Sequence, residues 1–111
     1  MKLEGLDTDA LVARLTAVAS PQRFRIIAAL ATGPLHVSEL ARQLGMSRAL
    51  LYMHLQRLEE AGYLSGRLEL SHDGRALKFF ELVPFTLTID TDTIVAAVTA
   101  AANHPPHEEE S

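Results

Sequence analysis

Two helix-forming segments separated by only three residues constrain this chain more than any other feature. The first segment, Val37 to Leu44, ends at Gly45, and glycine commonly ends a helix because it accepts a left-handed backbone. Ser47 caps the second segment, which Gly62 ends. The apolar side chains of that segment recur at helical spacing: Leu51, Leu55 and Leu58. A glycine-containing turn this short matches the helix-turn-helix geometry, in which the second helix can enter the major groove of DNA.

Two more helices are predicted before this pair. Asp7 or Thr8 caps a first helix that we expect to reach about Ala19, with apolar residues on most of its surface. Ser20-Pro21 begins the second helix, because proline at the first helical position loses no hydrogen bond, and Gly33-Pro34 ends it. The spacing predicts that Phe24, Ile27 and Leu30 form the core stripe of the second helix, and Ile26 lies beside this stripe.

A β-hairpin is predicted after the helix pair. The leucines at 64, 68 and 70 alternate with polar residues, which is the period of a half-buried strand. Asp73-Gly74 favours a turn, and a returning strand runs from about Arg75 to Leu82. The apolar residues of the returning strand fall on both faces, so the sequence leaves its register open. Three helices and a hairpin form a winged helix.

The last predicted helix begins after a cap at Asp92 and runs from Thr93 to about Ala102. It carries no charge and is apolar almost all round, so we expect it to be buried, most simply against a second subunit. The last helix therefore offers Ile94, Val95 and Val98 as candidate residues of a dimer interface. The first helix, which we expect to be covered on more than one side, offers Leu11, Leu15 and Val18. The predicted fold is mainly α with a small hairpin, as four helices, two strands and a final helix.

The chain has 111 residues, which suits one domain, predicted at residues 1–102 with the winged core at 20–82. Residues 103–111 form a predicted flexible tail with acidic and histidine residues. No apolar stretch is long enough to span a membrane and the N-terminus does not resemble a signal peptide, so we expect a cytoplasmic protein.

The distribution of charge favours DNA more than its total does. The net charge is −4, yet residues 21–80 hold eight cations and five acids, a local excess of +3. The absence of cysteine excludes disulfides and thiolate metal sites. No catalytic triad, phosphate-binding glycine loop or paired carboxylates appear, so we do not expect an enzyme.

The segment HVSELARQLGMSRALLYMHLQRLEEAGYLSGR, followed by a hairpin with Asp-Gly-Arg at its tip, resembles the ArsR-like winged helix transcription regulators. The resemblance covers roughly residues 20–82. It implies a homodimer built from the first and last helices that binds a palindromic operator in double-stranded DNA, usually as a repressor. The alternative is a winged helix that acts through a partner protein, and such a partner is also one possible source of effector recognition.

Carried over by position, the resemblance assigns the DNA-reading face to five residues of the second helix of the pair: Ser47, Arg48, Ala49, Tyr52 and His54. An arginine fork can donate two hydrogen bonds to guanine or to a phosphate, and tyrosine can contact a thymine methyl or a phosphate. Ser47 is a base contact or only the helix cap. His54 is a DNA contact, a polar link to a neighbouring helix or a pH-sensitive group.

The hairpin is expected to contact phosphates through three cations: Arg67, Arg75 and Lys78. The alternative is that these are only solvated surface charges.

Members of the family sense metals through cysteines on the third helix or through Asp and His on the last helix. This chain lacks the cysteines, and its closest match to the second pattern is Asp90 and Asp92 followed by His104 and His107. Pro105-Pro106 prevents the helical turn that would align both imidazoles. His104, His107 and Glu108 are therefore either a weak Ni or Zn site or an ordinary polar tail, and no cofactor is firmly predicted. His36 and His72 are expected in surface loops.

Overall fold

The computed structural model describes residues 2–103 of the chain, which contain five helices and three strands. The helices are α1 (Thr8–Val18), α2 (Pro21–Leu30), α3 (Val37–Leu44), α4 (Arg48–Glu60) and α5 (Thr91–Asn103). The strands are β1 (Leu35–His36), β2 (Leu64–Leu70) and β3 (Ala76–Leu82). The predicted winged helix fold is confirmed, with one strand more than the sequence indicated.

Local capping explains where the helices of the winged region begin and end. Ser20 Oγ accepts a hydrogen bond from the amide of Arg23 at 3.0 Å, and Ser47 Oγ accepts one from the amide of Leu50 at 3.2 Å. Gly45 has φ of 61°, the left-handed conformation that ends α3 and turns the chain toward α4. The short turn predicted between the two helices therefore forms as the sequence indicates.

The chain divides into two compact units, and Ala17–Pro84 is the larger. Its core consists of side chains from α2, α3, α4, the sheet and the turn before β2, with exposures of 3% or less: Ile26, Leu30, Val37, Leu40, Leu51, Leu55, Leu58, Tyr63, Leu64 and Phe80. The predicted stripe on α2 is partly wrong, because Phe24 is 60% exposed and Ile26 is fully buried. The inward face of α4, in contrast, is the predicted one.

The three strands form an antiparallel sheet in the order β1-β3-β2. Leu64 pairs with Leu82 and Leu70 with Ala76, which fixes the hairpin register that the sequence left open. His36 pairs with Phe79 across β1 and β3, and the two rings meet edge to face with centroids 5.6 Å apart. His36 also caps α3, because its Nδ1 accepts a hydrogen bond from the amide of Glu39 at 3.3 Å. His36 is thus a half-buried structural residue, which corrects its expected place in a surface loop.

The second unit combines the N-terminal residues up to Thr16 with the residues from Phe85 onward. Leu3, Leu11 and Ala97 form its core, and Leu6, Leu15 and Leu87 pack against them. The start of α5 differs from the prediction: Asp90 is the cap, since its Oδ1 accepts hydrogen bonds from the amide and the hydroxyl of Thr93, both at 2.8 Å.

The six residues predicted at a dimer interface occupy different environments. Leu11 and Val18 are buried within the chain, and Leu15 is half-buried. Their side chains therefore offer a second subunit little surface. The three α5 residues are about half exposed: Ile94, Val95 and Val98. Within residues 2–103, no helix is long and apolar enough to cross a membrane.

Candidate nucleic-acid interface

Helix α4 has a buried face and an exposed face, and the two have different chemistry. The buried positions are Leu51, His54, Leu55 and Leu58. At 100° per residue, the line opposite these positions runs through Ala49, Met53, Gln56 and Glu60. Tyr52 lies beside this line, and Arg48 lies further round, toward the buried face. Met53 and Tyr52 are 46% and 45% exposed. We call this exposed face, together with the exposed Arg48 at its N-terminal edge, the reading face; its residues are Arg48, Ala49, Tyr52, Met53 and Gln56.

Arg48 lies at the N-terminal end of the reading face and is exposed. Its Nη2 donates a hydrogen bond to the hydroxyl of Ser38 on α3, which holds the guanidinium beside the helix pair. Within residues 2–103, no ion pair joins Arg48 to a carboxylate. In contrast, Arg42 on α3 forms an ion pair with Glu39. The charge of Arg48 therefore remains available to an anion.

Ser47 and Ala49 flank Arg48 and are exposed. The Ser47 hydroxyl oxygen accepts the amide hydrogen of Leu50, as expected of a helix cap. Its capping role is thus confirmed, and a DNA contact by the same side chain remains a prediction.

Met53 and Gln56 lie on the reading face but are not among the DNA-contacting residues predicted from the sequence. The apolar side chain of Met53 can contact a thymine methyl, and Gln56 can pair with adenine, although its Nε2 now donates to Glu60 at 3.2 Å. The spacing of Leu51, Leu55 and Leu58 already determines the opposite face. A helical projection of the sequence would therefore have found both residues.

His54 does not belong to the reading face, which corrects its predicted role as a DNA contact. His54 is only 8% exposed, and its Nδ1 accepts a hydrogen bond from Nε of Arg23 on α2 at 3.1 Å. Burial lowers the pKa of His54, and the positive charge of Arg23 lowers it further. Of the three interpretations open from the sequence, the structure supports the polar link to a neighbouring helix.

The wing, which we define as β2, β3 and the turn between them, places its three cations in different settings. Arg67 donates to Glu69 at 2.6 Å and to Glu81, and it lies 5.9 Å from the centroid of the Phe79 ring. Both carboxylates raise the pKa of Arg67, and Glu69 has the larger effect. Arg67, Glu69 and Glu81 together carry a net charge of −1. Arg67 is therefore a weak candidate for a phosphate contact.

Lys78 and Arg75 are better placed on the wing. Lys78 is half-buried, with Nζ 5.4 Å from the centroid of the Phe80 ring. Arg75 is exposed at the tip, where its amide donates to Ser71 Oγ and Asp73 Oδ1. Both cations can be approached by a phosphate without displacing a carboxylate that the structure pairs with them.

A shallow cleft of about 390 Å³ lies between the start of α3 and the wing tip. Ser38, His72 and Arg75 contribute to its lining. Because Ser38 also binds Arg48, this cleft adjoins the N-terminal end of the reading face. The reading face and the wing tip thus offer hydrogen-bond donors on one connected surface of the larger unit, Ala17–Pro84, which we call the winged unit.

The structure gives no support to a metal site in the described part of the chain. Among residues 2–103 no group of three or more His, Asp or Glu is placed to hold a metal ion. Asp90 is used as the α5 cap. The predicted ligands His104, His107 and Glu108, and the tail at 103–111 apart from the end of α5, lie outside the described residues.

Comparison with known proteins relates this geometry to a family. Residues 20–65 match the model of the arsR family of bacterial regulatory proteins. The HTH-type transcriptional regulator CmtR of Mycobacterium tuberculosis is 38% identical over 104 residues, covering 85% of this chain and 86% of CmtR. An uncharacterized HTH-type transcriptional regulator of Methanocaldococcus jannaschii, MJ0229, is 33% identical over 78 residues, covering 70% of this chain and 81% of that protein.

Solved structures show the same fold. HlyU from Vibrio cholerae aligns with a TM-score of 0.58 at 24% identity, covering 87% of this chain and 94% of HlyU. The Mb0332 domain from Mycobacterium bovis, described as a homodimeric winged helix-turn-helix DNA-binding domain, aligns with a TM-score of 0.59 at 20% identity, covering 93% of this chain and 85% of that one. From its helix pair, its wing and its identity with CmtR over most of both chains, this protein belongs to the arsR family of bacterial regulatory proteins and is a transcriptional regulator.

Proposed function

We propose that the protein is a homodimeric, sequence-specific DNA-binding regulator that inserts α4 into the major groove of a palindromic operator. The observation that carries this proposal is Arg48, a cation at the start of an exposed helix face whose one hydrogen-bond partner among residues 2–103 is a neutral hydroxyl. A well-placed bidentate arginine contributes about 1 to 3 kcal/mol of discrimination between bases. In this role the protein binds DNA and catalyses no reaction. A regulator that binds chromosomal DNA acts in the cytoplasm.

The residues of the reading face make different kinds of contact with DNA in this proposal. Arg48 pairs with guanine or a phosphate, while Ala49, Tyr52 and Met53 supply apolar contacts to thymine methyls. Ser47 contributes chiefly as the cap that sets where the face begins. On the wing, Arg75 and Lys78 contact phosphates, and Arg67 contributes less because two carboxylates hold it.

The apolar surface of α5 supports the dimer. Ile94, Val95 and Val98 are half exposed on a helix that carries no charge from Thr93 to Ala102. Exposed apolar side chains clustered on one element mark interaction sites, and two copies related by a twofold axis would cover the same patch on each other. The similar Mb0332 domain is described as homodimeric.

Binding to the protein's own upstream DNA tests the proposal. At moderate salt, the wild type should bind this duplex at least about a thousandfold more tightly than random duplex. Arg48→Ala should lose about tenfold or more of the specific affinity, because it removes a bidentate donor. Arg57→Ala on the same helix is the matched control, since it lies about 13 Å further along the axis and removes an equal charge.

Three outcomes of this experiment decide between the proposals. Loss of specific affinity in Arg48→Ala with dimerisation intact, measured by analytical ultracentrifugation, supports direct readout. Equal losses in both arginine variants would indicate only a general charge effect. A wild type that binds its upstream DNA no better than random duplex would overturn the proposed function.

A winged helix that binds a partner protein is the second candidate. It is favoured by the wing, where Leu68 and Leu70 are 68% and 78% exposed beside an arginine held by carboxylates. Under this candidate, Arg48→Ala leaves DNA-dependent function unchanged, and alanine at Leu68 and Leu70 abolishes it.

Metal response is the remaining proposal for regulation, alongside an effector supplied by a partner protein. Imidazole nitrogens suit Ni²⁺ and Zn²⁺, and His104, His107 and Glu108 are the donors available for them. DNA affinity measured with and without each metal, in the wild type and in the H104A/H107A double variant, tests this proposal. If neither metal changes the affinity of the wild type, these residues do not form a sensor.

A further inference from the structure

One arginine of α2 connects α4 to Ala17, at the start of the Ala17–Pro84 unit. The Nε of Arg23 donates to His54 Nδ1 on α4 at 3.1 Å, and its Nη1 donates to the carbonyl of Ala17 near the end of α1 at 2.9 Å. The backbone amide of the same residue donates to Ser20 Oγ at 3.0 Å, which caps α2. The corner between α1 and α2 is therefore bonded directly to α4.

Each end of this link satisfies a group that needs a partner. The carbonyl of Ala17 is among the last four of α1, which have no partner inside the helix, and a cation at that end is favoured by the helix dipole. His54 is buried, and an unpaired ring nitrogen there would be costly. Arg23 supplies both hydrogen bonds from one planar guanidinium, which lysine cannot do.

The hydrogen bond also defines the protonation state of His54. An arginine only donates, so the Nδ1 that accepts from it carries no proton and the neutral ring holds its proton on Nε2. Burial and the charge of Arg23 lower the pKa of this ring, which keeps it neutral at pH 7. The link is thus formed in the state that prevails at neutral pH.

The leucines of α4 restrain its rotation less sharply than a hydrogen bond does. Leu51, Leu55 and Leu58 hold the helix against the core, but apolar burial is non-directional and tolerates some rotation about the helix axis. A hydrogen bond is directional. A rotation of 20° would move a side chain about 5 Å from the axis by nearly 2 Å, which is more than the ~0.5 Å tolerance of a functional site.

We propose that Arg23 and His54 are positioning residues that fix the rotation of α4 about its axis, and with it the direction in which the reading face points. His54 is adjacent in sequence to Met53 and two residues from Tyr52, so the bond holds the buried side of α4 at the same level along the helix axis as the middle of the reading face. This inference rests on the proposed DNA-binding function, because the direction of the face matters only if the face reads DNA. Neither residue contacts DNA in this proposal.

Four variants test the pair. Arg23→Met and His54→Leu remove the donor and the acceptor while they keep most of the volume, and the double variant removes both. His54→Asn restores an acceptor, because its Oδ1 lies where Nδ1 of the ring lies. The matched control is Arg25→Met, which removes the same charge from α2 and a similar bond, from Nη2 to the carbonyl of Leu44 at 2.9 Å.

We expect each single variant of the pair to lose about tenfold of its operator affinity, which corresponds to one well-placed contact. The double variant should lose no more than either single one, because both remove the same bond. His54→Asn should recover most of the affinity, and random-duplex affinity should stay unchanged throughout. Losses that multiply in the double variant, or an equal loss in Arg25→Met, would overturn the proposal.

A second measurement separates this inference from the proposed function. Amide hydrogen exchange along α4 should become faster in Arg23→Met but not in Arg25→Met, whether or not DNA is bound. If the wild type shows no operator preference, the proposed function fails, and the exchange rates still report on the link. Unchanged exchange in α4 would then overturn the positioning role. Should His54→Leu fail to fold, Arg23→Met and His54→Asn give the same tests.

Discussion

Helix α4 and the wing carry the same kind of side chain in opposite electrostatic settings. Arg48 on α4 donates to the neutral hydroxyl of Ser38, whereas Arg67 on the wing lies between Glu69 and Glu81. The first guanidinium keeps its full charge for an incoming phosphate or base, and the second belongs to a group whose net charge is −1. A count of basic residues therefore overestimates what the wing offers to DNA, and the neighbours of each cation decide its use.

The largest expected difference between the two regions is in stability. Leu55 on α4 is fully buried, while Leu68 on the wing is 68% exposed. Leu55→Ala should lower the free energy of unfolding by about 2–5 kcal/mol through lost burial and a cavity. Leu68→Ala should change it by less than about 0.5 kcal/mol. Urea denaturation of both variants gives the measurement, and comparable losses would contradict the packing described for these leucines.

Releasing the wing arginine is the next largest effect. The double variant E69Q/E81Q removes both carboxylates from Arg67 and leaves its charge unpaired. We expect tighter binding to random duplex and a salt dependence steeper by about one phosphate contact. Titrations at several salt concentrations measure this slope. An unchanged slope would show that the wing lies away from the phosphates even when its arginine is free.

Removing the wing arginine should have a smaller effect. Arg67→Ala is expected to change operator affinity by no more than about twofold, because exposed ion pairs contribute little and this side chain is already occupied. The same titration on Arg48→Ala provides the comparison, with a loss of about tenfold or more. If Arg67→Ala loses as much as Arg48→Ala, Arg67 exchanges its carboxylates for a phosphate in the complex.

Mild acid should also distinguish the regions, with the smallest effect. The pKa of His54 in the folded protein lies below its ordinary value of 6.5. As the pH falls below 6.5, the unfolded chain therefore takes up a proton at this histidine before the folded protein does. The contribution of His54 to stability is thus present above pH 6.5 and is lost below it. Asp73 in the wing turn has a pKa below 3.8 because it accepts hydrogen bonds, first from Ser71, so its contribution persists down to about that pH.

Urea denaturation of the wild type and of His54→Asn at pH 7 and pH 5 measures the histidine contribution. The wild type should lose stability between these two pH values, and His54→Asn should lose less. An equal loss in both proteins would mean that another group titrates in this range.

Features that depend on neighbours in sequence could be predicted, and those that depend on packing could not. The bounds of α3 and α4 follow from Gly45 and Ser47, and both helices match their predictions. Phe24 was misplaced because two stripes of α2 have helical spacing, and only the rest of the fold decides which one is buried. The pairing of Arg67 with Glu81 depends on a hairpin register that alternation alone does not fix.

The candidate site was predicted in outline. Arg48 and Tyr52 are exposed on α4 as expected, whereas His54 is buried. The sequence contained the signal for this difference, because position 54 lies three residues after Leu51 and four before Leu58, inside the buried stripe. The resemblance to the family places His54 at the reading face by its position, and helical geometry corrects that placement.

The two interactions of His36 have a consequence for protein engineering. This residue pairs with Phe79 in the sheet and also caps α3, so the wing and the helix pair share one side chain. A chimera that transfers only the segment from Val37 to Gly62 into a relative would separate α3 from its cap and from the strand behind it. Operator preference should therefore be exchanged as one block from Gly33 to Leu82, which keeps the cap, both helices and the hairpin together.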